Sequence, residues 1–128
     1  DGVLKIWKVD VSELEFSLSY NSVKKNLNDV AWIDDRKLVT VSEDGNVQVW
    51  DSVNRNPVTF KGHSGIGFCC AANSDNKIAS GSMDGTLRLW DIRKPNCLQN
   101  SYVHDGPVTA VNFSTTGMLV TSGFDGLM

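Results

Sequence analysis

An Asp-Gly pair returns along this chain about every forty residues. The four pairs stand at 1–2, 44–45, 84–85 and 125–126. A tryptophan follows the first three pairs at one fixed offset and closes a short apolar segment: Trp7, Trp50 and Trp90. A chain with such a period is built from copies of one small unit, and each unit buries its apolar surface against its neighbours.

The residues around each Asp-Gly pair are typical of a β-hairpin. Similar sequences surround the pairs at 36–51, 76–91 and 116–128, with a β-rich run on either side. Asp-Gly between two such runs predicts a two-residue type I′ turn, in which both central residues have positive φ. We call the strand before the pair b and the strand after it c.

Two further β-like segments accompany each hairpin. Strand a is predicted before b, at 28–33, 65–72 and 107–113. Strand d is predicted after c, at 13–20, 57–60 and 97–103. Pro57 suits an edge strand, because a missing N–H is harmless there. No segment has helical periodicity of useful length. The predicted strand order is therefore c–d, a–b–c–d, a–b–c–d, a–b.

The b and c strands are apolar at nearly every position rather than at alternate positions. This pattern indicates sheets that are covered on both faces. Sheets of four antiparallel strands that pack face to face are the blades of a β-propeller. Lys5, Gln48 and Arg88 interrupt c at one equivalent position. We expect their stems to pack while their polar ends reach the edge of a blade.

The chain resembles the WD-repeat (WD40) β-propeller family over essentially its whole length, and most specifically in the repeat at 62–91. This repeat opens with Gly62-His63 and closes with Trp90-Asp91. The resemblance implies an all-β propeller fragment of two whole blades and two half-blades. The predicted limits are 1–20 for strands c–d, 21–60 and 61–103 for the whole blades, and 104–128 for strands a–b. The remainder of a propeller, seven-bladed by family habit, is expected in the same full-length chain. The alternative is that the a–b half of one copy pairs with the c–d half of another.

The resemblance also implies a buried hydrogen-bonded tetrad in each blade. Its members are a strand b Ser or Thr, the Gly-His histidine, the turn Asp and the strand c Trp. In the third blade these are Ser80, His63, Asp84 and Trp90. The second has Thr40, Asp44 and Trp50, with Val23 in place of the histidine, and the fourth has Thr121, His104 and Asp125. A buried imidazole and indole N–H need such partners, so the expected role is structural.

Ser80, His63 and Asp84 are also the residue types of a serine-hydrolase triad, which is a second alternative. A triad requires an exposed nucleophile beside an oxyanion hole. Ser80 instead lies within an apolar strand, and Thr40 and Thr121 repeat its hydroxyl in other blades. We therefore predict that the protein is not an enzyme. Neither metal-ligand spacing nor a Gly-rich phosphate loop is present, so no metal, cofactor or small-molecule substrate is expected.

Composition limits the partners and the surroundings of the chain. A net charge of -3 gives no electrostatic reason to bind nucleic acid. No apolar run approaches the roughly 20 residues of a membrane-spanning helix, so no membrane insertion is expected. Cys69, Cys70 and Cys97 fit neither a disulfide framework nor a zinc site. Unpaired cysteines point to a reducing, intracellular compartment, either cytoplasm or nucleus.

The resemblance implies that proteins or peptides bind where the b–c turns and the d–a loops come together, a surface we call the top face. The residues before each turn Asp lie there, and they are Glu43, Met83 and Phe124. The rim would be lined by Ser64, Gly65, Asp105 and Gly106. Because Met83 and Phe124 are large apolar groups at turn positions, we predict that they form a contact surface for a partner. The leading function is a non-enzymatic scaffold that assembles a multiprotein complex.

A further partner site is suggested by the sequence Trp-Asp-Ile-Arg that ends at Arg93. It resembles the box of WD-repeat substrate receptors that dock onto adaptors of cullin-RING ubiquitin ligases. Such a receptor is the alternative function, in which Arg93 would contact the adaptor. The simpler interpretation is a loop arginine that contacts Asp91 or solvent.

Overall fold

The computed structural model describes residues 2–9, 14–21, 25–54 and 56–125, and the regular structure within them is β-strand. The strands are β1 (Val3–Val9), β2 (Leu14–Asn21), β3 (Leu27–Trp32), β4 (Lys37–Ser42), β5 (Val47–Asp51), β6 (Val58–Phe60), β7 (Gly67–Ala72), β8 (Lys77–Ser82), β9 (Thr86–Asp91), β10 (Gln99–Tyr102), β11 (Val108–Phe113) and β12 (Leu119–Gly123). Across these ranges, no helix is long and apolar enough to cross a membrane. Val23, Gly126 and the strand c expected after the last turn lie outside the described residues.

The strands form four antiparallel sheets in chain order, which we call blades one to four. Blade two has the order β3-β4-β5-β6, and blade three has the order β7-β8-β9-β10. Blade one contains β1 and β2, and blade four contains β11 and β12. The prediction of an all-β fold with four-stranded antiparallel blades is confirmed.

The two Asp-Gly hairpins that the structure describes in full, at 44–45 and 84–85, do not have the type I′ geometry that the sequence predicts. Gly45 has a φ of 77°, but Asn76 is the one non-glycine residue with positive φ in the described part of the chain. The Gly45 N–H donates to Ser42 O at 3.0 Å, so Glu43 and Asp44 are the central residues of the turn. The turn is therefore of type I, followed by a left-handed glycine. The Asp44 carboxylate accepts the Asn46 N–H at 3.1 Å, which holds the aspartate in this conformation.

The apolar core lies between the blades, and strand b is buried on both faces. Val39 and Val41 of β4 join a cluster between blades two and three. Leu38 of the same strand packs with Leu4 and Trp50 on the opposite side, between blades one and two. This two-sided burial explains why the b strands are apolar at nearly every position.

Polar contacts also join blade two to blade three. Asn28 Nδ2 donates to Gly67 O at 2.7 Å, and Cys70 N donates to Asp29 Oδ2 at 2.9 Å. A side chain at Gly67 would collide with Val41, so only glycine allows β7 to approach β4 this closely. Cys70 and its neighbour on β7 are buried free thiols, as expected. Burial raises the pKa of that neighbour, Cys69, to about 11.

The three polar residues at the equivalent position of strand c have different surroundings. Gln48 is buried, and its amide lies against the edge strand of blade two rather than in solvent. Its Nε2 donates to Thr59 Oγ1 on β6 at 3.2 Å, and its Oε1 has no partner among the described residues. Arg88 also has a buried Nε without a partner within the described chain. Lys5 is exposed.

Candidate interaction face

Four polar side chains of blade three meet beneath the turn between β8 and β9. His63, in the loop between β6 and β7, places Nε2 2.7 Å from Ser80 Oγ. Trp90 Nε1 donates to the same oxygen at 2.8 Å. On the other side of the imidazole, Nδ1 lies 3.4 Å from Asp84 Oδ2 and 3.2 Å from Thr86 Oγ1. The structure thus brings together all four residues of the tetrad that the resemblance implies.

The hydrogen bonds run in one direction when His63 is neutral with its proton on Nδ1. Trp90 then donates to Ser80, Ser80 donates to Nε2, and Nδ1 faces Asp84. Burial lowers the pKa of His63, and the nearby Arg88 charge lowers it further, although Asp84 acts in the opposite direction. The neutral imidazole is therefore the form that this site stabilises.

The turn aspartate remains ionised although it is mostly buried. Burial alone would raise the pKa of Asp84, but hydrogen bonds outweigh it and hold this pKa well below its ordinary value. The Thr86 hydroxyl and backbone N–H donate to Oδ1, and the Ser64 N–H donates to Oδ2 at 3.0 Å. One carboxylate therefore fixes the b–c turn and the d–a loop together.

Blade four repeats most of this arrangement. His104 Nε2 lies 3.0 Å from Thr121 Oγ1, and its Nδ1 lies 2.9 Å from Asp125 Oδ2. The Asp105 N–H donates to that Asp125 oxygen at 2.9 Å, as the Ser64 N–H does in blade three.

Blade two has the hydroxyl–indole contact without a histidine. Trp50 Nε1 donates to Thr40 Oγ1 at 3.0 Å. Asp44 is bound locally, since its carboxylate accepts the Ser42 hydroxyl at 2.5 Å and the Asn46 side-chain N–H at 2.8 Å. The turn of blade two is thus stabilised from within itself.

The geometry at Ser80 does not fit a hydrolase. Its side chain is 0% exposed, and its hydroxyl lies between an imidazole and an indole rather than beside a cleft. A nucleophile must reach its substrate, so this arrangement gives no support to the hydrolase alternative. The described residues also hold no group of three or more His, Cys, Asp or Glu side chains that could bind a metal ion.

Each b–c turn is fixed by one backbone hydrogen bond to the adjoining loop. Glu43 N donates to Asn26 O at 2.9 Å, and Met83 N donates to Ile66 O at 2.8 Å. The third turn follows the same pattern, with Phe124 N donating to Pro107 O at 3.2 Å. The three residues that precede the turn aspartates therefore occupy equivalent, anchored positions.

The side chains at these three positions project into solvent. Phe124 is 78% exposed and Met83 is 53% exposed. Glu43 is also exposed, and its Oε2 accepts the Asn26 Nδ2 at 3.3 Å. Cβ atoms built on Gly65 and Gly106 would lie 3.4 Å and 3.6 Å from the Cβ atoms of Met83 and Phe124, respectively. The predicted rim loops thus lie directly beside the two apolar side chains.

Some hydrogen bonds that hold the top face together were not predicted from the sequence. Ser64 and Asp105 were predicted as rim residues, but their backbone donation to the turn carboxylates was not. Thr86, whose hydroxyl donates to Asp84, was not singled out. A signal was present, because threonine two residues after an aspartate can bond to its side chain.

Arg93 has the structural contact that the simpler interpretation describes. Its Nε and Nη2 donate to the two oxygens of Asp91 at 2.9 Å and 2.7 Å. Lys77 Nζ lies 2.6 Å from the same carboxylate. These bonds, led by those from Arg93, hold the pKa of Asp91 far below its ordinary value. The guanidinium therefore stabilises the corner after β9.

A family model described as "WD domain, G-beta repeat" matches residues 14–51, 55–91 and 95–128. The second match begins before β6, the outermost strand of blade two, and ends with β9 of blade three. Each sequence repeat therefore contributes an outer strand to one blade and inner strands to the next. This offset links neighbouring blades through the chain itself.

Curated relatives match over nearly the whole of this chain. Identity to the human (Homo sapiens) "Angio-associated migratory cell protein" is 30% over 130 residues, covering 95% of this chain and 28% of that protein. Identity to "Target of rapamycin complex subunit LST8" of Saccharomyces cerevisiae is 29% over 115 residues, covering 87% and 37%. Identity to "Autophagy-related protein 16" of Arabidopsis thaliana is 31% over 126 residues, covering 95% and 24%. The chain thus spans only 24% to 37% of these relatives.

A solved structure has the same fold. The crystal structure of the computationally designed Ika4 protein superimposes with a TM-score of 0.83 at 27% sequence identity. The match covers 99% of this chain and 77% of that chain.

Proposed function

Because the chain belongs to the WD40 repeat family, we propose that it is a non-enzymatic scaffold that binds a segment of another protein on its top face. One relative is, by its name, a subunit of a complex. Function within a fold is decided by the site, so the proposal rests on the exposed side chains of the turns.

The observation that carries the proposal is the position of Phe124. A phenyl ring that is 78% exposed leaves apolar area in contact with water, and a partner that covers it gains the hydrophobic free energy. The turn below the ring is anchored by the bond to Pro107 and by the Asp125 contacts of the adjoining loop. An anchor on a fixed backbone loses little conformational entropy when it binds.

Met83 has the equivalent position in blade three, and we propose that it extends the same contact surface. A thioether adapts to the shape of a partner's side chain, whereas an aromatic ring supplies a rigid anchor. Glu43 is the third equivalent residue, and its bond to Asn26 suits it for a place at the polar rim.

The test is affinity purification of the full-length protein that contains this chain, followed by quantification of the proteins that accompany it. Phe124→Ala should lower the recovery of a partner several-fold, because truncating an apolar anchor commonly costs more than about 1 kcal/mol. Met118→Ala is the matched control, since Met118 is 70% exposed at the a–b turn, the other end of the same hairpin. Equal recovery with both variants would contradict the proposal.

The alternative function, a substrate receptor of a cullin-RING ubiquitin ligase, is suggested by the sequence that ends at Arg93 and gains no support from the structure. Arg93 donates to both oxygens of Asp91, which accounts for its presence without an adaptor. We therefore do not propose a ubiquitin-ligase function.

We also propose that the chain is part of a larger propeller, seven-bladed as in the family, with the remainder supplied by the same protein. Trp32 on β3 and Val120 on β12 are more than half exposed, whereas strand b of blade two is buried on both faces. Neighbouring blades would cover these two side chains. Counting the blades in an electron-microscopic reconstruction of the full-length protein tests this. The buried free thiols support a reducing compartment inside the cell.

A further inference from the structure

On blade four, the top face places an exposed aromatic ring next to an exposed carboxylate. The Asp105 N–H bonds to Asp125 Oδ2 at 2.9 Å, which fixes the loop that carries this aspartate. A Cβ built on the next residue, Gly106, would lie 3.6 Å from the Cβ of Phe124. Asp105 and Phe124 are both exposed, so one ligand segment can contact both side chains.

The charge around the two apolar side chains is negative. The loops 61–66 and 103–107 and the turns 82–86 and 123–125 contain three aspartates and one lysine, the histidines aside. The pKa of Asp84 is lowered by its hydrogen bonds, so this carboxylate keeps its charge at neutral pH. The lysine, Lys61, lies on the blade three side, and so does the guanidinium of Arg88, which lies beside Gly62. The negative charge is therefore strongest on the blade four side.

From this juxtaposition we infer that the partner segment carries a lysine or arginine beside an apolar residue. The cation contacts Asp105, and the apolar side chain packs on Phe124 and Met83. Complementary charge at the edge of an apolar contact sets orientation and excludes acidic competitors. A cation that approaches the exposed ring also gains a cation–π interaction. This inference rests on the proposed function, because it describes the ligand of the same face.

A random dodecapeptide library displayed on phage supplies an unbiased probe. The library is panned on the full-length protein that contains this chain, and the selected peptides are then tested on its Phe124→Ala variant. We expect peptides that require Phe124 and that contain lysine or arginine next to a large apolar residue, at several times their frequency in the starting library. Their binding should weaken as salt rises, because exposed charges are screened.

Reversing the charge of Asp105 tests the basic character of the partner segment separately from the proposed binding function. Asp105→Lys should weaken the selected peptides roughly tenfold, since it replaces an attraction with a repulsion. Asp35→Lys is the matched control, because Asp35 is an exposed aspartate in the a–b turn of blade two, and it should have no effect. Thermal unfolding of each variant shows that the fold is kept.

The possible results lead to different conclusions. Peptides that need Phe124 but show no excess of basic residues, or that bind Asp105→Lys unchanged, overturn the inference and leave the proposed function standing. Peptides that bind Phe124→Ala as well as the natural chain overturn both. Basic, Phe124-dependent peptides that fail on Asp105→Lys and not on Asp35→Lys support both.

Discussion

Replacing Ser80 with alanine should destabilise the chain by far more than the removal of one oxygen suggests. The Ser80 hydroxyl is fully buried and contacts two groups, Trp90 Nε1 at 2.8 Å and His63 Nε2 at 2.7 Å. Without it, a buried N–H donor and a buried ring nitrogen lose their partners. Each unsatisfied group costs about 1–3 kcal/mol, so the loss of both partners should lower the free energy of unfolding by about 2–6 kcal/mol. That is a large part of the stability of an ordinary domain.

Ser82→Ala is the matched control on the same strand. Ser82 is also fully buried, and its hydroxyl donates to Ile66 O at 2.9 Å. That carbonyl keeps a second donor, since Met83 N lies 2.8 Å away. The Ser82 hydroxyl also accepts the Asp84 N–H, but over a longer distance of 3.3 Å and in a partly buried turn. The loss at Ser82 should therefore be about 1–2 kcal/mol, smaller than the loss at Ser80.

Urea unfolding followed by circular dichroism measures both losses, provided that the m-value, the slope of the free energy of unfolding against urea concentration, is the same for each variant. A double-mutant cycle adds a sharper test. Trp90→Phe should cost about 1–2 kcal/mol less in the Ser80→Ala background, because its indole N–H has already lost its acceptor. Equal losses for the two serine variants, or a coupling of zero, would refute the view that Ser80 joins the tetrad.

Three more results are expected. The free energy of unfolding should fall as the pH drops below 6.5, because the lowered pKa of His63 means that the unfolded chain binds this proton before the folded chain does. It should fall again below pH 3.8, where the unfolded chain protonates Asp84 and the folded chain does not. Urea midpoints that stay constant between pH 8 and pH 5 would contradict the expectation for His63. Gly67→Ala should lose about 1–3 kcal/mol through its collision with the neighbouring blade, whereas Gly106→Ala should change stability by less than about 0.5 kcal/mol; thermal unfolding compares them. Cys97, half-buried, should react with a thiol reagent before the two buried cysteines of β7, and simultaneous labelling of all three would count against the packing described for β7.

The repeat made most of the fold predictable. Asp-Gly pairs and tryptophans at a fixed offset mark local units, and a hairpin forms from residues that are close in sequence. The apolar runs of the b strands predicted burial on both faces, which Val39 and Leu38 show from opposite sides. These features are determined by residues that are close to one another in sequence, so they can be predicted from the sequence alone.

The predictions that differ from the structure came from local sequence rules that take no account of side-chain contacts. Asp44 was assigned positive φ by the hairpin rule, but its carboxylate binds the next residues and gives the left-handed position to Gly45. Gln48 was expected to place its polar end at a blade edge; its Nε2 does contact the edge strand β6, but its Oε1 is buried without a partner among the described residues. Which side of a strand a neighbouring blade covers depends on packing that no short motif encodes.

Part of the top face was predictable. The family resemblance implied that the residue before each turn aspartate lies on the top face, and Met83 and Phe124 are exposed there. The placement of Asp105 beside the ring depends on the loop between β10 and β11, whose path is fixed by the bond from Asp105 to Asp125. Loop paths of this kind arise from contacts between distant residues, so the sequence alone did not predict the pairing.

The most direct test of the central claim is hydroxyl-radical footprinting of the full-length protein, free and with the partner recovered by affinity purification. Oxidation is read by mass spectrometry at three exposed side chains, Phe124, Met83 and Met118. Binding on the top face predicts that the partner protects Phe124 and Met83 and leaves Met118 unchanged. Protection of Met118 alone, or unchanged oxidation of Phe124 in the complex, would contradict the claim.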